Sequence, residues 1–253
     1  VIQVKVFFAY NELRNFSYLL YEDSTGDAWV IDPYDPIPIS NYIKENGLRL
    51  QGIVNTHQHF DHVRGNTSLH ESFGSPVRKL HHLEKIGLHG LWSLETFDTP
   101  GHTSDHQVFL LKSNNEIHAL FSGDTLFNSG VGNCRDGGNV DQLFDSTAAL
   151  LKIIPDDALL YPGHDYRKKN LEFAHTVEPQ NANINEALRQ VEYLGVENWM
   201  PGSFVEEKKV NPFLRLNSGE IQHQLNKDLI QLDEKYHKER ELFRKLRQLR
   251  DQW

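Results

Sequence analysis

The sequence predicts an α/β body followed by a helical appendage. Through residue 161, short apolar or alternating runs closed by Gly, Asn or Asp are interleaved with segments of helical spacing. From about residue 168 only helical spacing remains, apart from one long connection. The 253 residues are enough to bury a full core without disulfides or a structural metal.

Residues 4–9, 17–21 and 28–32 are β-branched or aromatic and read as strands. Residues 37–46 have helical spacing and stop at Gly47. The run 52–55 is short and apolar, as a buried strand should be. Residues 64–73 read as a helix closed by Gly74, the residue type that accepts a left-handed cap. Strands return at 93–97, 107–111 and 117–121. Over 142–153 the spacing puts Leu143, Leu150 and Leu151 on one side of a helix, continued by Ile154. A last strand, 158–161, ends at Pro162-Gly163-His164. Helices are then expected over 171–177, 184–194 and 219–253. The last carries Leu225, Leu229, Leu232, Tyr236, Phe243, Leu246 and Trp253 as an apolar stripe. Residues 195–217, with Pro201, Gly202 and Pro212, read as a connection. The change of character divides the chain into domains 1–167 and 168–253.

Hydrophobic residues make up 38% and charged residues 24%, proportions that exclude disordered, collagen-like and fibrous classes. Lys plus Arg is 26 against 35 Asp plus Glu, a net charge of −9, so nucleic acid is not an expected partner. No apolar stretch approaches the ~18 residues that would span a membrane. Residues 1–8 alternate and read as a strand, not a signal peptide. A single cysteine, Cys134, rules out a disulfide framework and a thiolate-rich zinc site. These features fit the cytoplasm, or the mitochondrial matrix if a leader has been removed.

The 14 histidines matter because several cluster with carboxylates. His57-Gln58-His59-Phe60-Asp61-His62 is an H-x-H-x-D-H cluster. On an extended segment His57 and His59 face one way. Three more pieces follow short apolar strands or turns: Pro100-Gly101-His102, Gly123-Asp124-Thr125 and Pro162-Gly163-His164. Ligands at strand ends converge on one edge of a sheet. Neutral imidazole and carboxylate suit zinc, iron and manganese. His57, His59, Asp61, His62, His102, Asp124 and His164 are too many for one ion and suit two divalent ions, with Asp124 the natural bridge. Two such ions make hydroxide available at neutral pH and polarise a carbonyl. Asp61 is expected to orient that hydroxide as well as to bind metal.

This pattern resembles the metallo-β-lactamase superfamily and, within it, the glyoxalase II or hydroxyacylglutathione hydrolase family. The likeness runs on through Leu126-Phe127, Asn170-Leu171-Glu172-Phe173-Ala174, Val177-Glu178-Pro179 and Asn211-Pro212-Phe213-Leu214-Arg215. It implies a four-layer αβ/βα sandwich with a C-terminal helical domain that helps bind the substrate. It also implies hydrolysis of an acyl-thioester, S-D-lactoylglutathione or a related acyl-glutathione, to a hydroxy acid and a free thiol. Tyr166 and Arg215 match glutathione contacts of the family. The usual Lys and Tyr after the glycine loop are absent, and Asn133-Cys134-Arg135 stand there. Arg135 is the candidate replacement for the lost charge.

The basic run of the last helix has two readings, attraction of substrate carboxylates or a solvated face complementing the helix C-terminus. Two other functions compete. A persulfide dioxygenase would use the same motif with one iron and molecular oxygen. A metal-bearing interaction protein would bind ions without turnover.

Overall fold

The computed structural model describes residues 1–193, 195–225 and 235–253. In chain order, β1 (Ile2–Phe8), β2 (Phe16–Glu22) and β3 (Asp27–Ile31) lead to helix α1 (Pro36–Glu45). Then come β4 (Arg49–Val54), α2 (Phe60–Val63), α3 (Asn66–Phe73), β5 (Val77–Arg78) and β6 (Lys85–His89). β7 (Trp92–Asp98), β8 (Gln107–Ser113) and β9 (Glu116–Gly123) follow, and after them β10 (Leu126–Phe127) and β11 (Gly130–Val131). The remainder is α4 (Val140–Ile153), β12 (Leu159–Pro162), α5 (Arg167–Val177), α6 (Ala182–Tyr193), α7 (Phe204–Val210), α8 (Gly219–Leu225) and α9 (Lys235–Gln252).

The chain forms two compact units. One comprises residues 1–98, 105–123 and 161–165, and the other residues 99–104, 124–160 and 166–253.

The first unit is built on two five-stranded sheets, ordered β1-β2-β3-β4-β5 and β12-β9-β8-β7-β6. β1, β2 and β3 pair antiparallel, whereas β3, β4 and β5 run parallel. Helix α1 starts at Pro36, whose missing N–H costs nothing at the first turn, and Asp35 caps it by accepting from Ile37 N at 3.0 Å. Ile39 and Ile43 of α1 and Leu69 of α3 bury against Leu19, Val30 and Ile53. The opposite face of β2 carries Tyr18, whose ring meets Phe121 of β9 at 5.2 Å and Tyr161 of β12 at 5.3 Å. Its hydroxyl donates to Pro162 O at 2.5 Å, and burial pushes its pKa well up, so the proton stays. With both faces covered, β2 is buried nearly throughout, which is why it reads as a continuous apolar run.

The second unit is helical around the short β10-β11 hairpin. Phe144 of α4 packs edge-on against Phe243 of α9 at 5.5 Å. Arg244 of α9 grips Asp141 with two 2.7 Å bonds, and Arg240 reaches Asp145 at 2.6 Å. The hairpin is held by Asn211, which donates to Gly130 O at 3.0 Å, and by Asn170, which donates to Asn128 O at 2.9 Å. These bonds draw residues 124–160 into one unit with the C-terminal helices. The unit boundary therefore does not follow the composition change at residue 168.

The strands expected from the sequence and the helices before residue 194 each correspond to an element; the helix expected over 219–253 is described as α8 and α9, with Leu194 and residues 226–234, Leu229 and Leu232 among them, outside the described residues. The connection 195–217 holds helix α7, which was not expected. Ser203 and Glu206 close a reciprocal capping box there, so the flanking Pro and Gly mark a helix start and not the lack of one.

Candidate metal centre and substrate recess

The chain leaves β4 at Val54, and His57 and His59 follow before α2 opens with Asp61 and His62 in its first turn. One buried carboxylate organises these imidazoles. Asp32, directly after β3, accepts Thr56 N at 2.7 Å on Oδ1, and on Oδ2 it accepts Thr56 Oγ1 at 2.6 Å and His62 Nδ1 at 2.9 Å. Asp32 is 3% exposed and sits at φ +50°, an uncommon conformation for a residue with a side chain. Thr56 Oγ1 donates its hydrogen to Asp32, so toward His57 Nδ1, at 3.1 Å, it is the acceptor. His164 Nδ1 donates to Leu13 O at 2.8 Å.

These partners fix the tautomers. An imidazole that donates through Nδ1 keeps a lone pair on Nε2. His62 Nε2 and His164 Nε2 then face each other at 3.3 Å, and Asp61 Oδ2 lies 3.5 Å from each. Three lone-pair atoms without a proton among them repel unless a cation joins them. Ligands about 2.0–2.1 Å from a tetrahedral ion stand roughly 3.3–3.4 Å apart, and these separations match. His57 Nε2 is likewise turned to His59 Nδ1 at 3.0 Å. The donor set fits a divalent ion.

In the second unit, His102 follows Gly101, whose φ of +148° and 2.4 Å approach to the Leu143 backbone admit no side chain. His102 Nδ1 donates to Asn133 O at 2.7 Å, leaving its Nε2 lone pair 3.5 Å from Asp124 Oδ2. Gly132 allows this approach, since a Cβ there would lie 1.9 Å from Asp124 O.

The same unit contains a recess of about 160 Å³ lined by Tyr166, Arg135, Arg247, Arg250 and Asp251, among others. Tyr166 stands edge-on to Phe127 at 5.2 Å. Arg247 is pinned by Val131 O at 2.9 Å, Gly132 O at 3.2 Å and Asp251 at 3.0 Å. Its buried Nε–H has no acceptor among the described residues. Arg250 reaches Asn170 Oδ1 at 3.3 Å, and Arg135 donates to Asp251 O at 2.8 Å. Burial pulls Arg247 and Arg250 below the ordinary guanidinium value, yet arginine stays charged in proteins.

Residues 165–253 match the family described as hydroxyacylglutathione hydrolase C-terminus, and residues 11–92 match the metallo-beta-lactamase superfamily. The chain is 37% identical over 257 residues to a hydroxyacylglutathione hydrolase of Polaromonas sp. (strain JS666), covering 96% of this chain and 97% of the relative. This chain belongs to the hydroxyacylglutathione hydrolase family. A second family member, from Francisella philomiragia, is 36% identical over 263 residues and 99% of both chains. Among solved structures, a metallo-beta-lactamase from Staphylococcus aureus subsp. aureus COL superposes with a TM-score of 0.66 at 22% identity, over 99% of this chain and 72% of its own. That likeness shows the shared metallo-β-lactamase fold, α/β with two sheets. The family and its fold carry divalent metal as cofactor, which the donor set accommodates.

Of the expected substrate residues of this family member, the structure brings Tyr166 and Arg135 to one recess but not Arg215. The Arg215 guanidinium is spent on Glu178, with bonds of 2.9 and 3.0 Å, and on Lys208 O at 3.2 Å. Glu178 is 1% exposed and needs that partner. Sequence reasoning placed Arg247 and Arg250 only within the basic run of the last helix, without singling them out, and missed Asp32. Spacing alone does not separate them, since Arg244, Arg247 and Arg250 are each three apart and Arg244 pairs with Asp141. Asp32 shows itself only as a carboxylate at the end of an apolar strand. The basic run is neither purely solvated nor purely open to substrate, since Arg240 and Arg244 pair with α4. Burial pushes the Cys134 thiol up to about 11, which disfavours the thiolate. No helix among the described residues is long and apolar enough to cross a membrane.

Proposed function

We propose that this chain hydrolyses the thioester of an acyl-glutathione, S-D-lactoylglutathione or a close relative, to a hydroxy acid and free thiol. The reading takes the seven ligands His57, His59, Asp61, His62, His102, Asp124 and His164 as one set for two divalent ions, zinc or iron with manganese also suited. Asp61, His62 and His164 would hold one ion, with Asp124 as the expected shared ligand. Bound ions of this kind supply hydroxide at neutral pH and a Lewis acid for the carbonyl.

The protein's own groups do the remaining work. Asp32 holds the His62 tautomer and, through Thr56, that of His57. Asp61 would orient the attacking oxygen. The recess presents three guanidiniums against the one carboxylate of Asp251, two positive charges in surplus. A glutathione moiety carries two carboxylates, and each charge-assisted bond to a guanidinium contributes about 1.5–3 kcal/mol. Arg135, Arg247 and Arg250 bind those carboxylates, and Tyr166 flanks the carrier. A thiolate carrier leaves readily because thiol pKa values lie near ~8.5. A reducing compartment such as the cytoplasm, where free glutathione persists, suits the activity.

The observation that carries this reading is the trio of lone-pair atoms at 3.3–3.5 Å in Asp61, His62 and His164. The test is turnover of a panel of acyl-thiols by metal-supplemented protein, followed by loss of thioester absorbance. Cleavage of acyl-glutathiones ahead of carriers without carboxylates is expected. Ion binding with no turnover of any acyl-thiol overturns it.

A further inference from the structure

The loop between β1 and β2 meets Asp61 and His164. Leu13 O takes the His164 Nδ1 proton, and Arg14, at φ +56°, accepts Asp165 N at 3.0 Å and pairs its guanidinium with Asp165. The next residue, Asn15, is 1% exposed. Its Nδ2 donates to Asp61 Oδ2 at 2.8 Å, and its Oδ1 accepts from Asn11 Nδ2 at 2.7 Å. Asn11 Oδ1 in turn accepts Asn15 N at 3.1 Å. The amide therefore cannot flip without placing donor on donor at Asn11 and acceptor on acceptor at Asp61.

The oxygen that Asn15 holds is the same Oδ2 that lies 3.5 Å from both His62 Nε2 and His164 Nε2. A carboxylate oxygen has two lone-pair directions. One is taken by the Asn15 amide and the other is left toward the imidazoles. Without the amide the carboxylate ranges over its last torsion and no oxygen is held toward the two imidazoles, since such terminal torsions are broad.

We propose that Asn15 is a positioning residue that holds the Asp61 carboxylate at the torsion that turns one of its oxygens toward the ion shared with His62 and His164. This rests on the reading of that trio as a metal site. Loss of the amide weakens that ion and slows the chemical step, because Asp61 also orients the attacking oxygen. Substrate binding is unaffected, as Asn15 belongs to the Asp61 side and not to the arginine recess.

The experiment is chelator competition on wild type, Asn15→Ala and Asn11→Ala, with kcat and KM measured on the same samples. Wild type should take up two ions. Asn15→Ala should lose about 10–100-fold in affinity for one ion, with kcat lowered and KM unchanged. Asn11→Ala, which leaves the amide in place but unbraced, should shift the same ion by less. In an Asp61→Ala background Asn15→Ala should add nothing. A general loosening of the fold would weaken both ions alike, and that result overturns the proposal. Wild-type affinity for both ions in Asn15→Ala overturns it while leaving the metal reading intact. Fewer than two ions in wild type removes the metal reading and the proposal with it. If Asn15→Ala does not fold, Asn11→Ala decides, and unchanged affinity there overturns the proposal.

Discussion

Asp32→Asn is the sharpest single-atom perturbation of the site. The carboxylate accepts three protons, two of them on Oδ2 from Thr56 Oγ1 and His62 Nδ1. If the new NH₂ replaces Oδ2, His62 Nδ1 must accept and its proton moves to Nε2. Thr56 Oγ1 can no longer donate to residue 32, turns to His57 Nδ1, and drives that proton to Nε2 as well. Two metal-facing lone pairs disappear. If the NH₂ replaces Oδ1 instead, it opposes the Thr56 N–H, a buried donor with no acceptor. Two bonds to a charged acceptor are at stake, about 1.5–3 kcal/mol each, or roughly 3–6 kcal/mol together. At about 1.4 kcal/mol per tenfold this is ~10²–10⁴ in ion affinity, the same range obtained from ~10–100-fold for each of two imidazoles losing its outer partner. The assay is chelator competition with thermal unfolding of the metal-free protein as control. Wild-type ion affinity together with wild-type thermal stability in Asp32→Asn would refute the tautomer reasoning.

Other expectations follow from the same geometry. Arg247→Ala and Arg250→Ala should each raise KM for acyl-glutathione about tenfold or more with little change in kcat, checked by steady-state kinetics against a carrier lacking carboxylates. Arg215→Ala should leave KM unchanged and cost about 3 kcal/mol of stability in denaturant unfolding, because it strands Glu178. Burial raises the Glu207 carboxyl above its ordinary value, so the folded state holds its proton more tightly than the unfolded chain. Stability should therefore fall as pH rises from the ordinary glutamate value through the raised one, and Glu207→Gln should remove that slope in a series of melting curves.

Much of the site is legible in the sequence because local chemistry and spacing specify it. His57, His59, Asp61 and His62 fall within six residues, and Gly101, Gly123 and Gly163 each announce a turn beside a ligand. The body strands are equally plain, since both faces of a strand such as β2 are covered and the run must be apolar. What escaped depends on partners distant in the chain. Arg215 looks like a substrate contact until Glu178, 37 positions away, takes its guanidinium. Arg247 is one cation among many until the Val131 and Gly132 carbonyls single it out. Asn15 gives no signal of its own, for a lone Asn before a strand is an ordinary turn residue. The hairpin strands β10 and β11 are two residues each, too short for any periodicity. The boundary at residue 168 follows composition, whereas the compact units follow Phe144 on Phe243 and Arg244 on Asp141.

The central claim is that turnover belongs to a paired-ion site. Metal-free protein should be titrated with zinc or iron while thioester loss from S-D-lactoylglutathione and bound ions per chain are recorded together. The rate is expected to stay low through the first equivalent and rise with the second. Full activity at one ion per chain, or none at two, would contradict it.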